Sequence, residues 1–367
     1  MLKLALVVGA RPNFMKISPI LTELNRYPEE FNPFLVHTGQ HYDAKMSDVF
    51  FDDLGLPIPD VFLGVGSGSH AAQTAHTMLA FERVLLEHRP DWIVVVGDVN
   101  STIACALDAA KLGIKVAHVE AGLRSRDRTM PEEINRILTD SIANLLFTPS
   151  RDGNANLLAE GVALEKICFV GNVMIDSLRR FEWYASQTNA LEALGIRTKE
   201  YGLVTLHRPS NVDDTDRLKS ILNALERIQK RTRLVFPVHP RTRKMMIDFG
   251  FMERIDRMDG LMLIDPVGYK DFLQFERNAL VVLTDSGGIQ EETTVFGVPC
   301  LTLRENTEWP ETIERGTNVL VGLNEERIVA EAFRIADGKV KKGGIPEGWD
   351  GHAAERVVKA FRTEPSL

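Results

Sequence analysis

ALVVLTDSGGIQEE (279–292) joins five apolar residues to a polar tip, two glycines and a pair of carboxylates. An apolar run this short reads as a strand buried on both faces, and the glycines that follow lead into a helix. Ser286, Gly287 and Gly288 would bring a hydroxyl and backbone N–H groups to the start of that helix, a place suited to an anion. Glu291 and Glu292 are expected in its first turn, about 100° apart around the axis, so both cannot face one ligand. Acids in a first turn also complement the helix dipole, which is the competing explanation for Glu291 above all. Phosphate and carboxylate repel each other, yet a nucleotide satisfies both. Its phosphates rest on the glycine turn, and its ribose hydroxyls donate to a carboxylate a turn further on.

The same strand–turn–helix unit recurs along the chain. In the first half, strands are expected in LALVVG (4–9), FLVHTG (34–39), WIVVVGD (92–98), KVAHVEAG (115–122), LLFTPS (145–150) and ICFVGN (167–172). In the second half they fall in YGLVTLH (201–207), RLVFPVH (233–239), LMLIDP (261–266), LVVLTD (280–285), PCLTLR (299–304) and NVLVG (318–322). Apolar strands alternating with helices predict an α/β protein of two doubly wound, Rossmann-like domains with six strands each. The expected division is 1–172, 173–350 and a final helix over 351–367. KVKKGGIPEGWDG (339–351) reads as a surface loop, and GVGSGS (64–69) as a flexible loop without strand-to-helix context. Ligands of such sheets bind at the carboxyl ends of the strands, so the polar strand tips predict one ligand held in a cleft between the domains.

Composition narrows the function classes. A net charge of -8 argues against general nucleic-acid binding, which needs a basic face. Cys105, Cys168 and Cys300 are odd in number and far apart, which reads as buried thiols in a reducing compartment. No pair of these cysteines has zinc-ligand spacing and the nine histidines are scattered, so no structural metal is expected. The start, MLKLALVVGARP, is too short in apolar residues for a signal peptide or a membrane span, and a cytoplasmic protein without membrane attachment is expected. No Walker loop, GxGxxG fingerprint or Ser-His-Asp spacing is visible.

The strand tips supply candidate residues. GARPNFMK (9–16) sets Arg11 past the first strand and Lys16 in the first turn of a helix, where a cation opposes the dipole unless an anion binds. GDVNST (97–102) ends a strand on Asp98, ahead of a helix that Asn100 or Ser101 could cap. HVEAGLRS (118–125) puts Glu120 late in an apolar strand, where a buried carboxylate needs a partner: a proton-transfer group or a salt bridge to Arg124. MPEEINR (130–136) opens a helix on Pro131 and spaces Glu132 and Arg136 as an i,i+4 pair. VTLHRPSN (204–211) sends His207 and Arg208 off a strand end in the half that carries the glycine turn.

Taken in order, GARPNFMK, TGQHYD, GDVNST, HVEAGLRS, MPEEINR, GNVMIDS, TLHRPSN and DSGGIQEE resemble the UDP-N-acetylglucosamine 2-epimerase family, from Gly9 to about Gly322. The resemblance implies a GT-B architecture, with the final helix crossing back to the first domain, and a cytoplasmic homodimer. It implies inversion at C2 of UDP-N-acetylglucosamine by elimination and re-addition of UDP, with neither metal nor nicotinamide. By motif, Asp98, Glu120 and Glu132 match the family's catalytic acids and His207 its catalytic histidine. Arg11, Lys16 and Arg136 match groups around the phosphates and sugar, with Arg208 beside them. Ser286, Gly287, Gly288 and Glu292 match the UDP site, Glu292 on the ribose. Relatives that hydrolyse the intermediate, or that act on UDP-2,3-diacetamido sugar acids, share these motifs. Allosterically activated members carry Gln-x-x-Gln where this chain has Gln40-His41-Tyr42-Asp43, so substrate activation is not implied. The rivals outside the family are a GT-B glycosyltransferase and a non-enzymatic UDP-sugar sensor.

Overall fold

Every strand lies parallel to its neighbours, and each is apolar enough to be covered by helices on both faces. The computed structural model describes residues 1–9, 11–39 and 58–363, without the side chains of residues 11 and 12. Gln40–Asp43 therefore lies outside the described residues. The chain divides into two compact units, Met1–Ser177 with Glu347–Leu367, and Leu178–Pro346.

The first unit holds β1 (Leu2–Val8), β2 (Phe31–His37), β3 (Val61–Phe62), β4 (Trp92–Val96), β5 (Lys115–Val119), β6 (Leu145–Thr148) and β7 (Ile167–Phe169). They lie in the order β3-β2-β1-β4-β5-β6-β7. The second unit holds β8 (Tyr201–Thr205), β9 (Arg233–Pro237), β10 (Leu261–Ile264), β11 (Val281–Thr284), β12 (Cys300–Thr302) and β13 (Asn318–Leu320), in the order β10-β9-β8-β11-β12-β13. Both are the doubly wound order, in which chain direction across the sheet reverses beside the first strand. The switch points lie between β1 and β4 and between β8 and β11.

Alternate residues of a strand feed the two faces. In β8, Tyr201 and Leu203 pack with Val235, Phe275 and Val282, whereas Val204 joins Leu222, Leu225, Phe236 and Ile328 on the other side. Burial on both sides explains the wholly apolar runs of the sequence.

Several expectations need correction. The first sheet has a seventh strand, β3, whose two residues are too few to show a period. The segment 64–69 does have strand-to-helix context. It follows β3, its Gly66 N–H donates to Gly39, and Ser69 caps the helix His70–His88 through the Ala72 N–H at 3.2 Å. The segment 339–351 is a largely exposed loop, as expected, but it carries an anchor. Trp349 is fully buried and donates its indole N–H to the Pro149 carbonyl at 3.1 Å. Of the three thiols, Cys105 and Cys300 are buried and Cys168 is half-buried.

The last helix, Ala353–Thr363, belongs to the first unit. Phe361 meets Trp92 and Phe147 edge-on, and Asp176 accepts the N–H groups of Ala353 and Ala354 at 3.1 and 2.8 Å. Burial pushes the Asp176 carboxyl up to about 6 despite these donors. Among the described residues, no helix is long and apolar enough to cross a membrane.

Candidate functional site

In the first unit the polar groups gather where β1, β4 and β5 end. Helix Arg11–Leu24 follows β1, and Lys16 sits in its second turn rather than its first. The Lys16 ammonium reaches the Glu120 carboxylate at 2.5 Å, an ion pair nearly closed to water, with side-chain exposures of 14% and 5%. Arg11 opens the same helix, and its side chain lies outside the described atoms.

Glu120 follows β5 directly and adopts a left-handed backbone, φ 69°. For a residue with a side chain this conformation is sparsely populated, and it is held only where surrounding structure enforces it. Oε2 takes Lys16, while Oε1 is buried and meets no donor among the described residues. The pair lies against the neighbouring tip of β4. Gly97 also has positive φ, and a Cβ there would stand 3.6 Å from Glu120 Oε2 and 3.9 Å from Lys16 Nζ. Beneath the turn, buried His118 spans the Gly97 carbonyl at 2.9 Å and Asp140 at 2.7 Å. Burial raises the Asp140 carboxyl, but His118 and Arg124 outweigh it and hold the group below the usual range.

The salt bridge between Glu120 and Arg124 considered from the sequence does not form. Arg124 instead engages Asp140 at 2.8 Å and Glu160 at 2.6 Å. Nor do Asn100 or Ser101 cap a helix. Asn100 is already helical, and its amide bonds to Gln73 at 2.7 Å.

Helix Pro131–Ile142 brings the remaining groups, with Pro131 at its first turn as expected. Arg136 does not pair with Glu132. It forks between Asp98 at 2.6 Å and Glu133 at 2.7 Å, and Asn135 donates to the Asp98 carbonyl at 2.8 Å. Glu133 also accepts the N–H groups of Ser125 and Arg126. Burial raises the Glu133 carboxyl, yet these donors and Arg136 leave it below the usual range. Among the described residues Glu132 meets no hydrogen-bond or ion-pair partner, and it is half-buried. The arrangement offers three carboxylates, Asp98, Glu120 and Glu132, with a cation on each of the first two.

In the second unit the centre is Asp285, fully buried at the tip of β11. It accepts from the N–H groups of His207 and Arg208, from the Asn211 amide at 3.2 Å, and from His207 Nδ1 at 2.9 Å. A carboxylate only accepts, so His207 carries its proton on Nδ1, and Nε2 is the nitrogen left for acid–base exchange on a ring that is 44% exposed. Burial raises the Asp285 carboxyl, but His207 and the backbone donors outweigh it. The sequence placed Asp285 at a strand tip without a role, and its signal was a carboxylate ending an apolar strand beside His and Arg.

Helix Gly287–Phe296 starts at the tip of β11. Ser286 occupies the cap position but its side chain caps nothing, and the N–H groups of a first turn have no intrahelical acceptor. A side chain at Gly287 would collide with Glu308, whose Oε1 lies 2.7 Å from where Cβ would stand. Gly288 is open by comparison. Glu308 in turn holds Arg304 at 2.7 Å and Arg208 at 3.3 Å, two cations beside the glycine turn. Glu291 and Glu292 fall in the second turn and are 2% and 3% exposed, so dipole complementation by solvated first-turn acids does not describe them. Glu292 accepts a hydrogen bond from Tyr269 Oη at 2.6 Å.

These placements can be set beside known proteins. The family model for UDP-N-acetylglucosamine 2-epimerase matches residues 22–362. A UDP-N-acetylglucosamine 2-epimerase homolog from Methanococcus maripaludis is 48% identical over 89% of this chain and 91% of that protein. The UDP-2,3-diacetamido-2,3-dideoxy-D-glucuronate 2-epimerase of Pseudomonas aeruginosa is 41% identical over 98% of this chain and 99% of its own. A crystal structure of Methanocaldococcus jannaschii UDP-GlcNAc 2-epimerase in complex with UDP-GlcNAc and UDP shares 42% identity, with a TM-score of 0.90 over 99% of this chain and 100% of that one. With two Rossmann-like domains of the GT-B kind and a family match over nearly its whole length, the chain belongs to the UDP-N-acetylglucosamine 2-epimerase family.

Proposed function

We propose that the chain interconverts UDP-N-acetylglucosamine and UDP-N-acetylmannosamine by inverting C2 of the sugar. In the first step a carboxylate takes the C2 proton, the electron pair forms the C1–C2 double bond, and UDP leaves with the C1–O electrons. In the second step a proton returns to the opposite face of C2, and a UDP oxygen attacks C1 of the 2-acetamidoglucal. Asp98, Glu120, Glu132 and His207 are the acid–base groups of this reading. Arg11, Lys16, Arg136 and Arg208 bind phosphates and sugar, Ser286, Gly287 and Gly288 receive the diphosphate, and Glu292 takes the ribose. The first unit thus acts on the sugar and the second binds the nucleotide.

One observation supports the reading above all. Asp98 and Glu120 each hold a cation at strand ends of the first unit, Glu132 opens the helix that carries Arg136, and the second unit has a glycine turn with cations beside it. Transfer of a sugar to an acceptor needs fewer acids than that, and proton removal from both faces of C2 needs at least two. The leaving diphosphate is best stabilised by fixed N–H donors and cations, commonly the largest electrostatic contribution. Closure around the intermediate would exclude water and retain it. A homodimer working in the cytoplasm completes the proposal.

Proton NMR of UDP-N-acetylglucosamine with the enzyme in D₂O tests it. The expected result is deuterium at C2 together with UDP-N-acetylmannosamine. Free N-acetylmannosamine plus UDP would mean the hydrolysing reaction. Inertness toward this sugar combined with exchange at C2 of a UDP-2,3-diacetamido sugar acid would move the substrate to that of the Pseudomonas relative. In the same reading Glu292→Ala weakens UDP binding by roughly 1.5–3 kcal/mol, as loss of charge-assisted hydrogen bonds does. Calorimetry with UDP checks this, and unchanged affinity would remove Glu292 from the ribose site.

A further inference from the structure

Behind Glu292 lies a second acid. Glu276 sits near the end of helix Tyr269–Asn278, fully buried, and neither of its carboxyl oxygens meets a donor among the described residues. Its ionisable neighbours are Glu292 and the buried thiol of Cys300. Tyr269 and Glu276 are seven residues apart on one helix, hence on one face, and Tyr269 already donates to Glu292 at 2.6 Å. Two turns apart, both side chains are neighbours of the same carboxylate.

An ionised carboxylate sealed from water with no donor is strongly disfavoured. Burial and the like charge of Glu292 push the Glu276 carboxyl well above the ordinary carboxylate range. Protonated, Glu276 becomes an O–H donor, and Glu292 is the acceptor beside it. Two acids then share one proton and carry one charge between them. We infer that Glu276 is a positioning residue for nucleotide binding, a neutral carboxylic acid that donates to Glu292 and, with Tyr269, fixes that carboxylate for the ribose hydroxyls. This rests on Glu292 being the ribose acceptor. An O–H donor to an ionised oxygen makes a short, charge-assisted bond, which orients Glu292 more tightly than packing alone would.

The test is a double-mutant cycle on UDP binding by calorimetry, with a melting curve for each variant. Glu292→Ala is expected to weaken UDP by about 10–150-fold. Glu276→Met, similar in shape but without a donor, is expected to weaken it about 3–30-fold in the wild-type background and by less than about 2-fold when Glu292 is already alanine. Glu276→Gln keeps an N–H donor and should stay within about 3-fold of wild type. The melting curve of Glu276→Met shows whether the variant is folded at the temperature of the titration, since Glu292 loses a donor when the acid is removed. Full UDP affinity in Glu276→Met beside a weakened Glu292→Ala overturns the inference alone. An equal loss from Glu276→Met in both backgrounds also overturns it, since the residue would then act through packing. Undiminished affinity in Glu292→Ala removes the ribose reading and this inference with it. Should Glu276→Met not fold, Glu276→Ala takes its place in the cycle.

Discussion

Glu120→Gln should lower turnover by about 10²–10⁴-fold, the usual worth of a positioned acid–base group. Its affinity for UDP should stay within a few-fold of wild type. The substitution keeps size and hydrogen-bonding shape, and glutamine can hold the same left-handed backbone at φ 69°. What it removes is a carboxylate that can accept a proton. Oε2 is committed to Lys16 at 2.5 Å, while the other oxygen is buried and without a donor among the described residues, and in the proposed reading it is the one that takes a proton from substrate. Steady-state kinetics and C2 hydrogen–deuterium exchange separate this role from a structural one. A residue serving only as the counter-ion of Lys16 would make Glu120→Gln and Lys16→Met equally damaging, and exchange would persist in both. A catalytic base makes Glu120→Gln the worse of the two and abolishes exchange. Turnover within tenfold of wild type, with exchange intact, would sink the assignment.

The strands were legible in the sequence because both faces of each sheet are covered. Runs such as WIVVV and VVLT therefore carry almost no polar residue up to the tip, and the tips announce themselves by contrast. β3 escaped notice because Val61 and Phe62 alone show no pattern. Trp349 escaped because a single aromatic among glycines and lysines reads as solvent-facing, whereas its N–H finds a carbonyl 200 residues earlier in the chain. Candidate residues were visible as types at strand ends, but their partners were not. Local spacing pointed to Glu132–Arg136 and Glu120–Arg124. The fold instead gave Arg136 to Asp98 and Glu133, and Arg124 to Asp140 and Glu160. Such exchanges depend on which strand tips become neighbours, a long-range property that i,i+4 spacing cannot carry. Glu276 lay wholly beyond reach, because a glutamate on an amphipathic helix reads as solvated until its face is known to be interior.

Asp285→Ala should destabilise the second unit by about 3–5 kcal/mol, the range for removing one partner from a buried charged pair. Its melting transition should fall by on the order of 10 °C. The mutation leaves the His207 and Arg208 N–H groups, the Asn211 amide and His207 Nδ1 facing a space that offers no acceptor. Asp285→Asn keeps the shape but points an NH₂ group at some of these donors, so it should recover little of the loss. Turnover should fall with stability, because His207 loses the acceptor that fixes its proton on Nδ1. The effect also has a defined pH dependence. The folded Asp285 carboxyl is held below its ordinary range, so the stabilisation is complete above the unfolded value of about 3.9 and is lost as pH falls through the folded one. The difference in melting temperature between wild type and Asp285→Ala should therefore be constant from about pH 6 to 8 and shrink only in acid below about pH 4. A variant that melts within 2 °C of wild type at neutral pH would show that this polar centre contributes nothing to holding the second sheet together. One that keeps its stability but loses turnover would place Asp285 in orienting His207 alone.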